Sequence, residues 1–160
     1  MGALSSSMMQ YRPNVAILLL RDDGRLLICE RQKVKGAWQF PQGGVDEGET
    51  LEEALKREVV EEIGVQPSSY DILDMKGGYR YVYPPTLQKA KRKGWYDGQE
   101  QTYYRCLLHD AKAKIDVVQK PQEFRDFKWI KPEDFKLKWL PEFKREVYRK
   151  VMWDFFEVKI

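Results

Sequence analysis

The chain of 160 residues has one histidine, His109, and two cysteines, Cys29 and Cys106. A Ser-His-Asp or Cys-His mechanism would hang on that single imidazole, which argues against both. Two cysteines so far apart make no zinc site. Both lie in apolar runs and are expected to be buried free thiols, with nothing calling for an oxidising compartment. Long apolar segments are missing too. The longest, residues 15–20, falls far short of the roughly 20 residues a membrane-spanning helix needs. The opening residues lack a basic start followed by an apolar stretch, so no secretion signal is read there. A cytoplasmic protein without a membrane partner is the expectation. The net charge of +3 is too small to argue general affinity for nucleic acid.

The composition that remains is that of a globular domain, with 42% hydrophobic and 33% charged residues. Residues 11–160 are read as one domain, and residues 1–10 as an added or disordered N-terminal stretch. Residues 15–20 and 26–30 are apolar and β-prone, and Arg21-Asp22-Asp23-Gly24-Arg25 between them signals a hairpin. A short strand is expected at 38–40 and a loop at 41–44. Residues 50–63 predict a helix. Thr50 and Glu53 have capping-box spacing, Leu51, Ala54, Leu55, Val59 and Ile63 make an apolar stripe, and Gly64 supplies the stop. Further strands are expected at 71–76, 79–82, 101–108 and 127–130, with a long basic loop over 84–99 and a helical turn at 132–135. A second helix is expected over 141–157, with Pro141 in its first turn and Phe143, Val147, Val151 and Phe155 along one side. Strands with two separated helices suggest an α/β sandwich around a mixed sheet.

The chemistry concentrates in the first helix. Glu58, Glu61 and Glu62 sit at i, i+3 and i+4, so their carboxylates share one helical face. Like charges so spaced repel by a few tenths of a kcal/mol per pair, and a nearby apolar stripe worsens the repulsion by desolvation. A divalent cation would remove that penalty. Hard carboxylate oxygens suit magnesium, with manganese as a substitute, and magnesium commonly shares its shell with substrate phosphates.

Gly43, Glu49, Arg57, Glu58, Val59, Glu61, Glu62, Gly64 and Val65 fill every fixed position of the Nudix box, Gly-x5-Glu-x7-Arg-Glu-U-x-Glu-Glu-x-Gly-U with U aliphatic. The chain therefore resembles the Nudix hydrolases. The segments Tyr11-Arg12-Pro13-Asn14-Val15, Trp38-Gln39-Phe40-Pro41-Gln42-Gly43-Gly44 and Phe143-Lys144-Arg145-Glu146-Val147-Tyr148-Arg149 are similar to the bacterial RNA pyrophosphohydrolase group, which shades into the diadenosine polyphosphate hydrolases.

The resemblance implies an α/β/α Nudix sandwich with a mixed sheet. It also implies a metal-dependent pyrophosphohydrolase that converts tri- or diphosphorylated RNA 5′ ends to 5′-monophosphates. By the same resemblance, Glu58, Glu61, Glu62 and Glu123 bind magnesium with the Gly43 carbonyl nearby. Glu58 and Glu61 are both candidate proton acceptors, and Arg57 orients the carboxylates. Gly43 and Gly44 let backbone approach metal and phosphate closely. Arg12 and Lys144 match positions lining a 5′-end pocket, Arg31 and Phe143 could flank a base, and Tyr81 matches a pocket residue. The basic run at 89–93, followed by Trp95 and Tyr96, could hold single-stranded RNA. One departure is Gly98-Gln99-Glu100-Gln101, where RNA-processing relatives often carry lysine in place of Glu100. Two other functions fit the same residues: hydrolysis of a dinucleoside polyphosphate such as diadenosine tetraphosphate, and a non-catalytic nucleotide or RNA sensor. No protein partner is legible.

Overall fold

An apolar run without alternation belongs to a strand covered on both faces, and the run at 15–20 becomes such a strand. The structure, a computed structural model, describes residues 9–90 and 96–160, with the side chains of 88–90 left aside. In it, β1 (Tyr11–Leu20) is the centre of a seven-stranded mixed sheet. The core strand order is β3 (Trp38–Gln39), β2 (Leu26–Arg31), β1, β6 (Gly98–Leu108), β5 (Tyr70–Val82). β7 (Phe124–Ile130) pairs with β2, and β4 (Gln42–Gly44) with β1. The β1–β6 pair is parallel and the other pairs are antiparallel.

Two helices cover the sheet. On one face, Ala54, Leu55, Val59 and Ile63 of α1 (Leu51–Ile63) pack against Val15, Ile17 and Leu19. On the other, Val147, Tyr148, Val151, Met152 and Phe155 of α3 (Glu142–Phe156) pack against Ala16, Leu18, Phe40 and Tyr103. A helix as short as α1 is marginal in isolation, so this burial and its caps hold it. The Thr50 hydroxyl accepts from the Glu53 N–H at 3.1 Å, the Glu53 carboxylate accepts from the Thr50 N–H at 2.9 Å, and Gly64 closes the helix at φ +67°. The α/β/α sandwich, the hairpin turn at Gly24 (φ +83°) and both buried free thiols agree with the sequence reading.

Five local expectations are corrected. Residues 41–44 are not all loop, because Gln42–Gly44 form β4 against Asn14, Val15 and Ala16. Residues 84–99 include α2 (Pro85–Ala90) and the start of β6. Residues 71–76 and 79–82 belong to one strand, β5, with register shifts between Ile72 and Asp74 and between Lys76 and Tyr79. Leu51 is exposed at the helix start, and Glu62 occupies a buried position of the stripe. Pro141 is the cap residue ahead of α3, not a member of its first turn. Residues 1–8 of the N-terminal stretch, residues 91–93 of the basic run and Trp95 after it lie outside the described residues. Among the described residues, no helix is long and apolar enough to cross a membrane.

Candidate active site

β1 meets β2 only at Leu20–Leu26, and its other end is taken by β4. A cavity of about 650 Å³ opens there, between the sheet edge and the first turn of α3. Three groups of side chains wall it. Glu58, Glu62 and Glu123 supply carboxylates, Arg12, Arg31 and Lys144 supply cations, and Tyr81, Tyr83 and Phe143 supply aromatic surface.

The carboxylate wall depends on close approach of β4 to α1. A Cβ on Gly43 would collide with the Glu58 carboxyl group, and one on Gly44 with the Arg12 guanidinium. Glycine at both positions is what admits those two charged side chains. Arg57 grips the region from behind. Its guanidinium donates to both oxygens of Glu49 at 2.7 and 2.8 Å, to Glu58 at 2.8 Å, to Glu61 at 3.2 Å and to the Gly44 carbonyl at 3.0 Å. Arg57 thereby holds the Glu49 carboxyl down at about 2. It meets Glu61 as its i+4 spacing allows, but its other main partner is Glu49, since Glu53 is engaged in the capping box.

Burial pushes the Glu58 carboxyl above the usual carboxylate range, with Arg57 pulling the other way. Glu62 is pushed well above it by burial and by the negative charges of Glu58, Glu123 and Glu61, against a backbone N–H from Gln42. One oxygen of Glu62, Oε1, is buried with no hydrogen-bond partner. Buried polar atoms are normally satisfied, and an all-oxygen set with an orphaned carboxylate oxygen is the donor chemistry a hard divalent cation takes. The carboxylates therefore suit such an ion in donor chemistry, though not in convergence. Among the described residues, no three acidic, histidine or cysteine side chains converge closely enough to hold an ion together. Arg57 engages both Glu58 and Glu61, and Glu61 is 58% exposed and outside the cavity wall.

The opposite wall is built by β5, β6 and α3. The Phe143 ring lies 5.4 Å from Tyr81, and the Lys144 ammonium lies 5.9 Å from Phe143 and 6.0 Å from Tyr81. Gln99 accepts from the Tyr81 hydroxyl and also bonds the Tyr83 hydroxyl. A register shift between Glu30 and Arg31 turns the end of β2 beside Phe124, and the Gln32 N–H donates to the Glu123 carbonyl at 2.9 Å. That junction brings Arg31 and Glu123 to the same rim. Glu100 does not wall the cavity; it pairs with Arg80 at 2.8 Å.

The NUDIX domain family matches residues 10–151. The chain belongs to this family. Curated Nudix relatives named RNA pyrophosphohydrolase include one from Erythrobacter litoralis, 37% identical over 96% of each chain. Another, from Helicobacter pylori, is 40% identical over 89% of this chain and 92% of its own. Among solved structures, the E. coli dihydroneopterin triphosphate pyrophosphohydrolase covers 91% of this chain and 99% of its own, at TM-score 0.65 and 17% identity. A C. elegans Ap4A hydrolase covers 88% and 94% respectively, at TM-score 0.62 and 20% identity. At such identities the two structures establish the Nudix fold alone.

Of the residues assigned a catalytic, metal-binding or substrate-binding role from sequence, all but Glu61 and Arg57 line the cavity. The basic run at 89–93 is not placed, because its side chains lie outside the described residues. Sequence reasoning missed Asn14, Gln39, Gln42, Tyr83 and Gln99, which also wall it. The available signal was a polar amide inside or beside an apolar strand, as at Asn14 and Gln99.

Proposed function

We propose that this Nudix chain removes pyrophosphate or phosphate from the 5′ end of triphosphorylated or diphosphorylated RNA, leaving a 5′-monophosphate. It is a Nudix hydrolase acting on phosphoanhydride bonds. The observation that carries the substrate choice is one cavity lined by the carboxylates of Glu58, Glu62 and Glu123 together with Arg12, Arg31, Lys144 and Phe143. The curated relatives named RNA pyrophosphohydrolase, matched over nearly the whole chain, support the same choice.

Glu58, Glu62 and Glu123, with Glu61 and the Gly43 carbonyl beside them, would hold a divalent cation, magnesium by preference and manganese as a substitute. When bound, such a cation neutralises charge on phosphate oxygens and acidifies water. Arg12 and Lys144 bind phosphate oxygens by charge-assisted hydrogen bonds. Arg31 and Phe143 flank the first bases, Phe143 by its ring face and Arg31 by its guanidinium plane. Glu58 or Glu61 accepts the proton of the attacking water. Arg57 holds both of those carboxylates in register with Glu49.

Equal amounts of 5′-triphosphate RNA and diadenosine tetraphosphate, each with magnesium, test this assignment by kcat/KM. Preference for RNA by at least about tenfold is expected. Preference for the dinucleotide would reverse the substrate, and turnover of neither with retained RNA binding would favour a sensor.

A further inference from the structure

A chain of buried hydrogen bonds runs from the middle of the sheet to the carboxylate wall. The Tyr103 hydroxyl donates to Gln101 Oε1 at 2.8 Å. Gln101 Nε2 donates to Asn14 Oδ1 at 3.0 Å, and Asn14 Nδ2 donates to Gln42 Oε1 at 2.6 Å. The Gln42 backbone N–H then reaches the Glu62 carboxylate. Strand pairing makes this path possible. Asn14 is the register partner of Gln101 across β1 and β6, and Gln42 faces Ala16 across β1 and β4. The three amide or hydroxyl side chains behind Gln42 are closed to water, with Asn14 2%, Gln101 3% and Tyr103 1% exposed.

Gln42 is held from both sides of the sheet. Its side chain is fixed from the α3 face by Asn14, and its backbone N–H serves Glu62, which projects from α1. Every link donates towards the carboxylate, so the bond dipoles reinforce one another. The far end is rigid: the Tyr103 ring packs edge-on against Tyr79 at 5.4 Å and Phe40 at 6.3 Å. Gln101 and Tyr103 do not wall the cavity, so neither can touch substrate. An apolar core at these two positions would cost less to build than a polar chain in which every member must be satisfied. The chain has a purpose at its other end.

We propose that Gln101 and Tyr103 are positioning residues for the cation site: through Asn14 they fix Gln42, and through Gln42 they fix the Glu62 carboxylate. This rests on the cation role given to Glu62 above. Partners behind a metal ligand commonly set affinity by about 10- to 100-fold.

The test is Mn²⁺ affinity of the full chain, read by electron paramagnetic resonance without substrate. Gln101→Leu is expected to weaken Mn²⁺ binding by about tenfold or more, with kcat on 5′-triphosphate RNA recovering at saturating metal. Tyr103→Phe keeps the ring and removes only the last donor; it is expected to weaken binding by about two- to fivefold. It carries the test if Gln101→Leu does not fold. Tyr79→Phe is the control. It removes a hydroxyl bonded to Asp154 at 2.6 Å from the same aromatic cluster and should leave Mn²⁺ affinity unchanged. Folded Gln101→Leu or Tyr103→Phe with wild-type affinity, or Tyr79→Phe weakening it equally, would overturn the proposal. A wild-type chain that bound no Mn²⁺ would instead overturn the cation role itself.

Discussion

Replacing Glu62 by glutamine should stabilise the metal-free protein and destabilise it relative to wild type once metal is added. Glu62 is 6% exposed, and its Oε1 has no partner. A buried polar atom left unsatisfied costs about 1–3 kcal/mol, and negative charges on Glu58 and Glu123 add repulsion. Glutamine keeps the shape and an oxygen for the Gln42 N–H, and in place of the repelled, unpartnered oxygen it presents amide N–H groups that the negative charges of Glu58 and Glu123 favour. A net gain of about 1–2 kcal/mol follows, which for a domain of this size raises Tm by roughly 2–8 °C. With a cation at 100 times its Kd, wild type gains about 2.7 kcal/mol from binding, and the variant loses most of that. Calorimetric melting in EDTA and in millimolar magnesium therefore gives curves whose order reverses. A Glu62→Gln protein that melts below wild type in EDTA would refute the reasoning, because it would mean the carboxylate is satisfied without an ion.

Gly43→Ala should lower kcat by about 10²-fold at fixed metal, since the new methyl displaces the Glu58 carboxyl group; steady-state kinetics within threefold of wild type would contradict this. Gly44→Ala meets only the flexible end of Arg12, so the expected result is a raised KM for 5′-triphosphate RNA with little change in Tm. Glu61→Gln should lose at least about 10²-fold in kcat, and near-normal turnover would remove Glu61 from the chemistry despite its contact with Arg57. Burial pushes the Cys106 thiol up to about 12 and Cys29 well above its ordinary value. Both thiols therefore stay protonated in the fold far above the pH where a free cysteine ionises. Native protein at pH 8 should resist a thiol-specific chromogen that labels it quickly in guanidinium, and rapid labelling of the native chain would contradict their burial.

Local signals with one physical cause were readable from the chain. The capping box at Thr50 and Glu53, the stop at Gly64, the unbroken run of β1 and the α3 stripe each follow from a short-range rule. Features set by distant partners were not. Gln42-Gly43-Gly44 has no strand propensity and forms β4 only because β1 offers it an open edge. Glu58, Glu61 and Glu62 read as equivalent members of one acidic face, yet the helix turns Glu62 inward while Glu61, its neighbour, faces water. Asn14 and Gln101 look like ordinary polar residues until parallel pairing of β1 and β6 sets them face to face. Arg57 lies four residues from both Glu53 and Glu61, and spacing alone does not reveal its bidentate grip on Glu49, eight residues back, while Glu53 is engaged in the capping box.

The most direct test is a crystal of the chain soaked with Mn²⁺ and a non-hydrolysable 5′-triphosphate RNA analogue, with data collected at the manganese edge. The account expects an anomalous peak bonded to oxygens of Glu58 and Glu62 and to the analogue's phosphates. An analogue bound in the cavity with no anomalous peak at those carboxylates would contradict it.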